Sequence, residues 1–357
     1  MNWNKIMLAV IFTVIALLGA QAVNAQAPEW TKVNSAANAA RQRGEYAHAQ
    51  GLYNRAIAMQ TSTLGANNPE VAVSLNNLAA TYHDQSMNLQ AEQSYKRAMS
   101  ILEKAPNQNV SMGRTLNNLA SLYQDMGADA KAEPLYNRAM GIWKNLAKKD
   151  NAGEALTAIS LAGIYHARNQ DEVAEPLYLQ ALKLWTAEGK ADSEIAADAL
   201  IHLAGIYRFR SDNEAAASMY ARVITIWEKT GDIDKSEGIA AQAALGEIYR
   251  SEGKYEQAEP LLEGALKGTQ KMVGSDDLQV AASLNNLAVL FYCEGNYQAA
   301  EPLYKQVLDI RQKNLGADNP MVLQTVEIYA TLLRHEGKQV DAAKLEAQAA
   351  RAGVAHL

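Results

Sequence analysis

The sequence predicts an all-α chain built from about eight copies of one helix-turn-helix unit, and three observations carry that prediction. The segments 75–79, 116–120 and 284–288 are identical, each reading Leu-Asn-Asn-Leu-Ala. Weaker copies aligned on the fourth residue of that segment place Ala36, Leu78, Leu119, Leu161, Leu203, Leu245, Leu287 and Tyr329 at spacings of 42 residues, with a single 41. Runs of alternating β-branched residues, the mark of strands, are absent. A fixed period of this length signals stacked units, each too small to bury its apolar side alone.

Residues 1–25 read as an export signal. Lys5 stands near the start, an apolar run follows from Ile6 to Leu18, and small residues lead out through Ala20, Ala22 and Ala25. Ala25 is the preferred residue before the cut and Ala22 the alternative. The run is shorter than the roughly 20 residues that span a bilayer, although retention as an anchor stays open. The expected location is therefore periplasmic or secreted. Beyond the cut, repeats at approximately 29–70, 71–111, 112–153, 154–195, 196–237, 238–279, 280–321 and 322–357 leave no room for a second domain.

Each unit is predicted element by element. The residue after the alignment position is Ala37, Ala79, Ala120, Ala162, Ala204, Gly246, Ala288 or Ala330, always small. Thirteen residues after the alignment position come Ala49, Ala91, Ala132, Ala174, Ala216, Ala258, Ala300 and Ala342. Two invariant small positions predict two helices that cross closely, where a longer side chain would push the backbones apart. Four residues beyond the second alanine stand Tyr53, Tyr95, Tyr136, Tyr178, Tyr220, Leu262, Tyr304 and Glu346, on the same helical face as that alanine. Between the helices, Gly44, Ser86, Gly127, Asn169, Ser211, Gly253, Gly295 and Gly337 predict the turn. Pro134, Pro176, Pro260 and Pro302 fall near the end of the first turn of a second helix, which tolerates them. Pro69, Pro106 and Pro320 are expected in the inter-repeat loops.

This order of small residue, turn and Ala-Glu-Pro-Leu-Tyr (132–136, 174–178, 300–304), together with Leu-Gly-Ala-Asn-Asn-Pro-Glu-Val at 64–71, resembles the tetratricopeptide repeat, in its 42-residue kinesin-light-chain-like form. The resemblance covers the whole chain beyond the export signal and weakens at its ends, where Ala40 replaces the first-helix tyrosine and Leu333 and Glu346 depart from the pattern. It implies a right-handed superhelical solenoid whose first helices line a concave groove for peptides or protein segments. The family's peptide-clamping asparagine maps onto Asn77, Asn118, Ser160, His202, Ala244 and Asn286. An amide can donate to and accept from an extended backbone at once; the same Asn-Asn pairs would equally serve as hydrogen bonds between repeats or face water. Asn76, Asn117 and Asn285 are expected to meet the neighbouring repeat.

Two further rows follow the alignment position by five and six residues. The first holds Arg41, His83, Arg208, Arg250 and Arg334, and the second Asp84, Asp125, Phe209, Cys293 and His335. Facing the groove, Arg208, Arg250 and Arg334 against Asp84 and Asp125 would orient a ligand with one acidic and one basic end; an ordinary solvated helix end is the competing reading. Trp143, Trp185 and Trp227 recur late in three second helices and are expected in the core, with a partner-binding aromatic surface as the alternative.

The composition limits the chemistry. The chain has 357 residues, 48% of them apolar and 20% charged, enough for a large folded body. A net charge of −6 gives no sign of a phosphate-binding surface, so no nucleic acid is expected as a partner. The lone Cys293 excludes an internal disulfide, a C-x-x-C redox pair and a thiolate metal site. The six histidines show no H-x-x-x-H spacing, and His83 and His166 share a repeat position two units apart. No cofactor, metal or catalytic residue is expected. The reading is a non-enzymatic envelope scaffold that binds a protein or peptide, with end-to-end self-association as the alternative and an enzyme of unrecognised type a more remote one.

Overall fold

In the computed structural model, residues 27–354 are described, except 106, 108 and 147–149. The export signal, Pro106 and His356 therefore lie outside the described residues. These residues form sixteen helices and no strand. In chain order they are α1 (Glu29–Gln42), α2 (Tyr46–Leu64), α3 (Pro69–His83), α4 (Asn88–Glu103), α5 (Asn109–Asp125), α6 (Asp129–Lys144), α7 (Asn151–Ala167) and α8 (Asp171–Ala187). They continue as α9 (Glu194–Phe209), α10 (Asn213–Thr230), α11 (Ser236–Ser251), α12 (Tyr255–Val273), α13 (Leu278–Glu294), α14 (Tyr297–Leu315), α15 (Pro320–His335) and α16 (Gln339–Val354). The fold is an all-α repeat solenoid. Residues through Ile164 form one compact unit and residues from Tyr165 a second.

In the first unit α1 to α6 pack in sequence order, each on the next; in the second, α8 to α16 do the same. The two alanine rows explain why. All eight alanines of the second-helix row, Ala49 to Ala342, are fully buried. So are Ala37, Ala79, Ala120, Ala162, Ala204, Ala288 and Ala330 of the first-helix row. The exception, Gly246, is explained by its partner: a Cβ there would come within 2.7 Å of the Leu262 side chain. Repeat 6 replaces the Ala–Tyr pairing by Gly–Leu, and the two changes fit each other. The tyrosines Tyr53, Tyr95, Tyr136, Tyr178 and Tyr304 are all at least 99% buried, and burial raises the hydroxyl pKa of Tyr304 to about 12.

Every predicted turn residue adopts a left-handed backbone, with φ of 58° at Ser86, 57° at Asn169, 61° at Ser211 and between 70° and 83° at the five glycines. The same two hydrogen bonds close each turn. In the first, Gly44 donates to the Arg41 carbonyl (3.0 Å) and Glu45 to the Ala40 carbonyl (2.9 Å); in the last, Gly337 donates to Arg334 (3.0 Å) and Lys338 to Leu333 (2.8 Å). This 6→1 and 5→2 pairing satisfies the orphan carbonyls of the first helix while reversing the chain. Pro134, Pro176, Pro260 and Pro302 lie inside α6, α8, α12 and α14, which run through them unbroken.

Pro69 and Pro320 depart from the expectation. They are the first residues of α3 and α15 rather than loop residues, where a fixed φ and a missing N–H suit the helix start. Asn68 and Asn319 cap them, accepting from the Glu70 and Met321 amides. The loops are held by a periodic ion pair that sequence reading missed: Lys229 meets Asp192 at 2.6 Å, Lys271 meets Asp234 at 2.5 Å, and Lys313 meets Asp276.

The indoles of Trp143, Trp185 and Trp227 are core residues, at most 4% exposed. Trp143 Nε1 donates to Thr157 Oγ1 (2.8 Å), and the ring fits only because positions 113 and 153 lack side chains. A Cβ at Gly113 would lie 2.5 Å from the indole, and one at Gly153 2.9 Å.

The turn geometry carries a graded prediction. Ser211→Gly removes the left-handed penalty of a residue with a Cβ and stabilises the protein by about 1 kcal/mol. Asn169→Gly gains less, because asparagine tolerates this region. Thermal melts of the two variants against the parent check the order.

Candidate functional site

The first unit contains a cleft of about 480 Å³, lined by Asn76, Asn77, Asn117, Asn118, Arg114, Asp150, Leu156, Ser160 and Tyr136, among others. Helices α3, α5 and α7 supply Asn77, Asn118 and Ser160 from the same position of three successive repeats, so the fold brings these three predicted residues together. Of the asparagines expected to meet the neighbouring repeat, Asn76 and Asn117 do so. Asn117 Nδ2 donates to Thr157 Oγ1 (2.7 Å), tying the cleft wall to the hydroxyl that also receives the Trp143 indole.

Asn118 makes the inter-repeat contact that was the alternative to a binding role. Its Nδ2 donates to Asn76 Oδ1 (3.1 Å), joining α5 to α3, while its own Oδ1 has no partner among the described residues. The Asn77 amide likewise has no side-chain partner among them, although it is only half exposed. Arg114 closes one wall by pairing with Asp150 at 3.0 Å, and Asp150 Oδ1 also accepts from the Gly153 amide (3.0 Å). Buried Tyr136 contributes its hydroxyl, which donates to Gln124 (3.1 Å), and burial raises its pKa. The cleft therefore offers amide groups able to donate and accept, the Ser160 hydroxyl and the apolar Leu156, which is exposed.

In the second unit, His202 occupies the asparagine position of repeat 5. Its ring stacks on Tyr178 with centroids 5.3 Å apart and planes 10° apart, and meets the His166 ring edge-on at 5.7 Å. The residue is exposed, but the ring face that stacks on Tyr178 is covered. That burial, with the nearby His166 charge second, lowers the His202 pKa below the ordinary histidine value. His166 is itself held by Asp171, Nδ1 to Oδ1 at 2.6 Å. Ala244 is buried at the equivalent position of repeat 6, and Asn286 is half-buried at that of repeat 7.

The two charged rows interlock between neighbouring repeats. Arg41 grips Asp84 through two bonds of 2.6 and 3.0 Å, and His83 Nε2 meets Asp125 at 2.8 Å. In the second unit Arg250 reaches the Cys293 sulfur at 3.7 Å, and Tyr292 meets His335 edge-on at 5.8 Å. Arg208 lies 3.6 Å from Glu247, and Arg334 binds both oxygens of Glu346 at 2.6 Å. Thus Glu346, which stands where other repeats have tyrosine, acts as the partner of Arg334.

One recurrent contact escaped the sequence reading. The glutamate after the second-helix alanine accepts from the first-helix tyrosine of the following repeat: Tyr123 donates to Glu92 at 2.7 Å and Tyr207 to Glu175 at 3.0 Å. Its signal was present as a glutamate recurring at 92, 133, 175, 259 and 301. Among the described residues, no three His, Cys, Asp or Glu side chains converge as a metal site, and no helix is long and apolar enough to cross a membrane.

The profile of the tetratricopeptide repeat matches residues 29–104, 111–187, 194–271, 238–313 and 279–352, nearly all of the described residues. The chain belongs to the tetratricopeptide repeat family. No curated protein matches it. Among solved structures, it is similar to the apo form of RapI, with 16% identity over 80% of this chain and 98% of that one at a TM-score of 0.54. A signal-transduction ATPase with numerous domains and a tetratricopeptide repeat sensor, from Pyrococcus horikoshii, gives 16% identity and a TM-score of 0.57. It covers 86% of this chain and 44% of that chain. A putative kinesin light chain of Podosopora anserina with nearly identical repeats has 24% identity over 57% of this chain and 96% of that one, at 0.46. These likenesses concern the fold. Tetratricopeptide repeats are scaffolds, and the cleft and rows above are the surfaces this one presents.

The His202 environment gives a pH prediction. Protonation is disfavoured in the folded chain, so below about pH 6.5 the unfolded chain binds more protons. The stability held at neutral pH is lost as the pH falls through that value toward the depressed folded pKa. His202→Phe keeps the stack on Tyr178 and removes the titration. Melting midpoints between pH 7.5 and 5 should therefore fall less steeply for His202→Phe than for the parent.

Proposed function

We propose that this protein is an exported, non-enzymatic scaffold that binds an extended segment of a partner protein along its first-helix surface. The observation that carries this reading is the asparagine-lined cleft of the first unit, where Asn77, Asn118 and Ser160 repeat at the spacing of successive first helices. An extended chain presents alternating donors and acceptors, and amides that both donate and accept match it without demanding one sequence. A surface already held by buried alanines and paired asparagines lowers the ordering cost of docking. In the second unit His202 and Asn286 occupy the same repeat position, and Arg208, Arg250 and Arg334 supply positive charge there for acidic side chains of the partner.

Residues 1–25 support export to the periplasm or the medium, the compartment in which such a scaffold would meet envelope proteins. Expression with this leader in a bacterial host should yield a product whose first residue by intact mass is Gln26; a product retaining residue 1 would reject the cut.

Binding is checked with a library of unstructured dodecapeptides read by fluorescence anisotropy. Peptides that bind the parent should bind an Asn77→Ala, Asn118→Ala double variant at least tenfold more weakly, corresponding to about 1.4 kcal/mol. The melting midpoint should move by no more than a few degrees. Undiminished binding would remove the cleft from the mechanism.

A further inference from the structure

At three inter-repeat junctions a glutamate directly after the buried second-helix alanine meets a group of the next hairpin, and at a fourth an alanine stands in its place. At the first, Glu92 of α4 accepts from the Tyr123 hydroxyl (2.7 Å) and from Lys96 (2.5 Å). At the second, Glu175 of α8 accepts from the Tyr207 hydroxyl (3.0 Å) and from Arg210. At the third, Glu301 of α14 meets Lys338 (2.5 Å), which also holds Glu336 at 3.0 Å. In each case the glutamate directly follows the buried second-helix alanine and reaches the end of the next first helix or the turn after it, where Tyr123 and Tyr207 supply a hydroxyl and Leu333, in the same row of repeat 8, does not.

Between repeats 5 and 6, where Ala217 replaces the glutamate, the tyrosine of the first two junctions and the lysine–glutamate pair of the third occur together. Tyr249 of α11 stands in the row of Tyr123 and Tyr207, Lys254 in that of Lys338, and Glu252 in that of Glu336. Lys254 holds Glu252 at 2.7 Å, as Lys338 holds Glu336, and lies 5.5 Å from the Tyr249 ring centre. The Tyr249 hydroxyl has no hydrogen-bond partner among the described residues. Where the glutamate would project there is a cavity of about 490 Å³, lined by Glu214, Ala217, Ser218, Ala221, Tyr249, Glu252 and Lys254.

We infer that this cavity is a carboxylate-binding subsite, in which a ligand carboxylate takes the place that glutamate holds at the other junctions and is bound by the Tyr249 hydroxyl and the Lys254 ammonium. The neighbouring acids do not forbid it. Glu214 has its counterpart in Glu172 beside the Glu175 site, where Arg210 and Tyr207 nonetheless hold a carboxylate, and Lys338 already serves two glutamates at once. Because the cavity is open to solvent and its ion pair is exposed, binding is weak, no tighter than about millimolar. The chemistry needed is a carboxylate on a short stem, carried by an acidic side chain of a partner or by a small organic acid.

Acetate supplies the atoms by which glutamate exceeds alanine, so it is the first probe; the blocked tripeptide acetyl-Ala-Glu-Ala-amide and its glutamine analogue are the second and third. Backbone amide shifts of the ¹⁵N-labelled protein at pH 7 should move saturably at Ala217, Tyr249 and Lys254 with acetate and with the glutamyl peptide. The glutaminyl peptide should bind at least fivefold more weakly. Ala217→Glu, which restores the arrangement of the other junctions and is compatible with the helix, should abolish the response, and Tyr249→Phe should weaken it severalfold. A peptide affinity at least tenfold above that of acetate assigns the site to partner side chains, and equal affinities assign it to free acids; both sustain the subsite. Shifts that do not saturate, that persist in Ala217→Glu, or that are equal for the glutamine analogue would overturn it. The Asn77 and Asn118 substitutions leave this response unchanged, so its failure and that of the cleft are separable.

Discussion

The close crossing of two helices at a pair of alanines is the constraint on which everything else rests. Where Ala37 meets the hairpin of Ala49 and Tyr53, or Ala288 that of Ala300 and Tyr304, the backbones approach until no larger residue fits, and the tyrosine fills the adjoining space. Such contacts depend on complementarity of shape and not only on apolar area, because protein interiors are close-packed. Once the crossing is set, the left-handed turn follows, and the first helix of the next repeat can lie only where the asparagine and tyrosine rows place it.

That rigidity gives the surface residues their positions. Asn118 is held by Asn76, and Asn117 by Thr157, so the cleft is preformed by contacts between repeats. The polar rows work in the same way. Arg41 with Asp84, His83 with Asp125 and Arg250 with Cys293 each join one repeat to the next, so charge that could have met a ligand is partly spent on register. An exposed ion pair such as Arg41 with Asp84 contributes roughly 0–1 kcal/mol.

The fold was legible in the sequence because packing demands repeat with the chain. Ala49 through Ala342, the turn residues from Gly44 to Gly337 and the tryptophans of repeats 3 to 5 each have a short-range reason to recur, and each sits where that reason requires. The site was legible only in part. Asn77, Asn118 and Ser160 do share a cleft, but the use of Asn118 Nδ2 by Asn76 depends on a contact 42 residues away. The interlocking of the two charged rows was hidden for the same reason: a residue in one row finds its partner in the other row of the following repeat. Pro69 and Pro320 were assigned to loops because proline punctuates chains in general, whereas capping by Asn68 and Asn319 makes it a helix opener here.

Repeat 6 shows how far one unit of a periodic protein can drift from its siblings. With Gly246 and Leu262 replacing alanine and tyrosine, its two helices have become matched to each other and mismatched to any other copy. A recombination that cut through this hairpin would seat a tyrosine against glycine or leucine against alanine, leaving a hole in one product and a collision in the other. Exchange of the hairpin as a whole, with the joints in the loops between hairpins, avoids both faults.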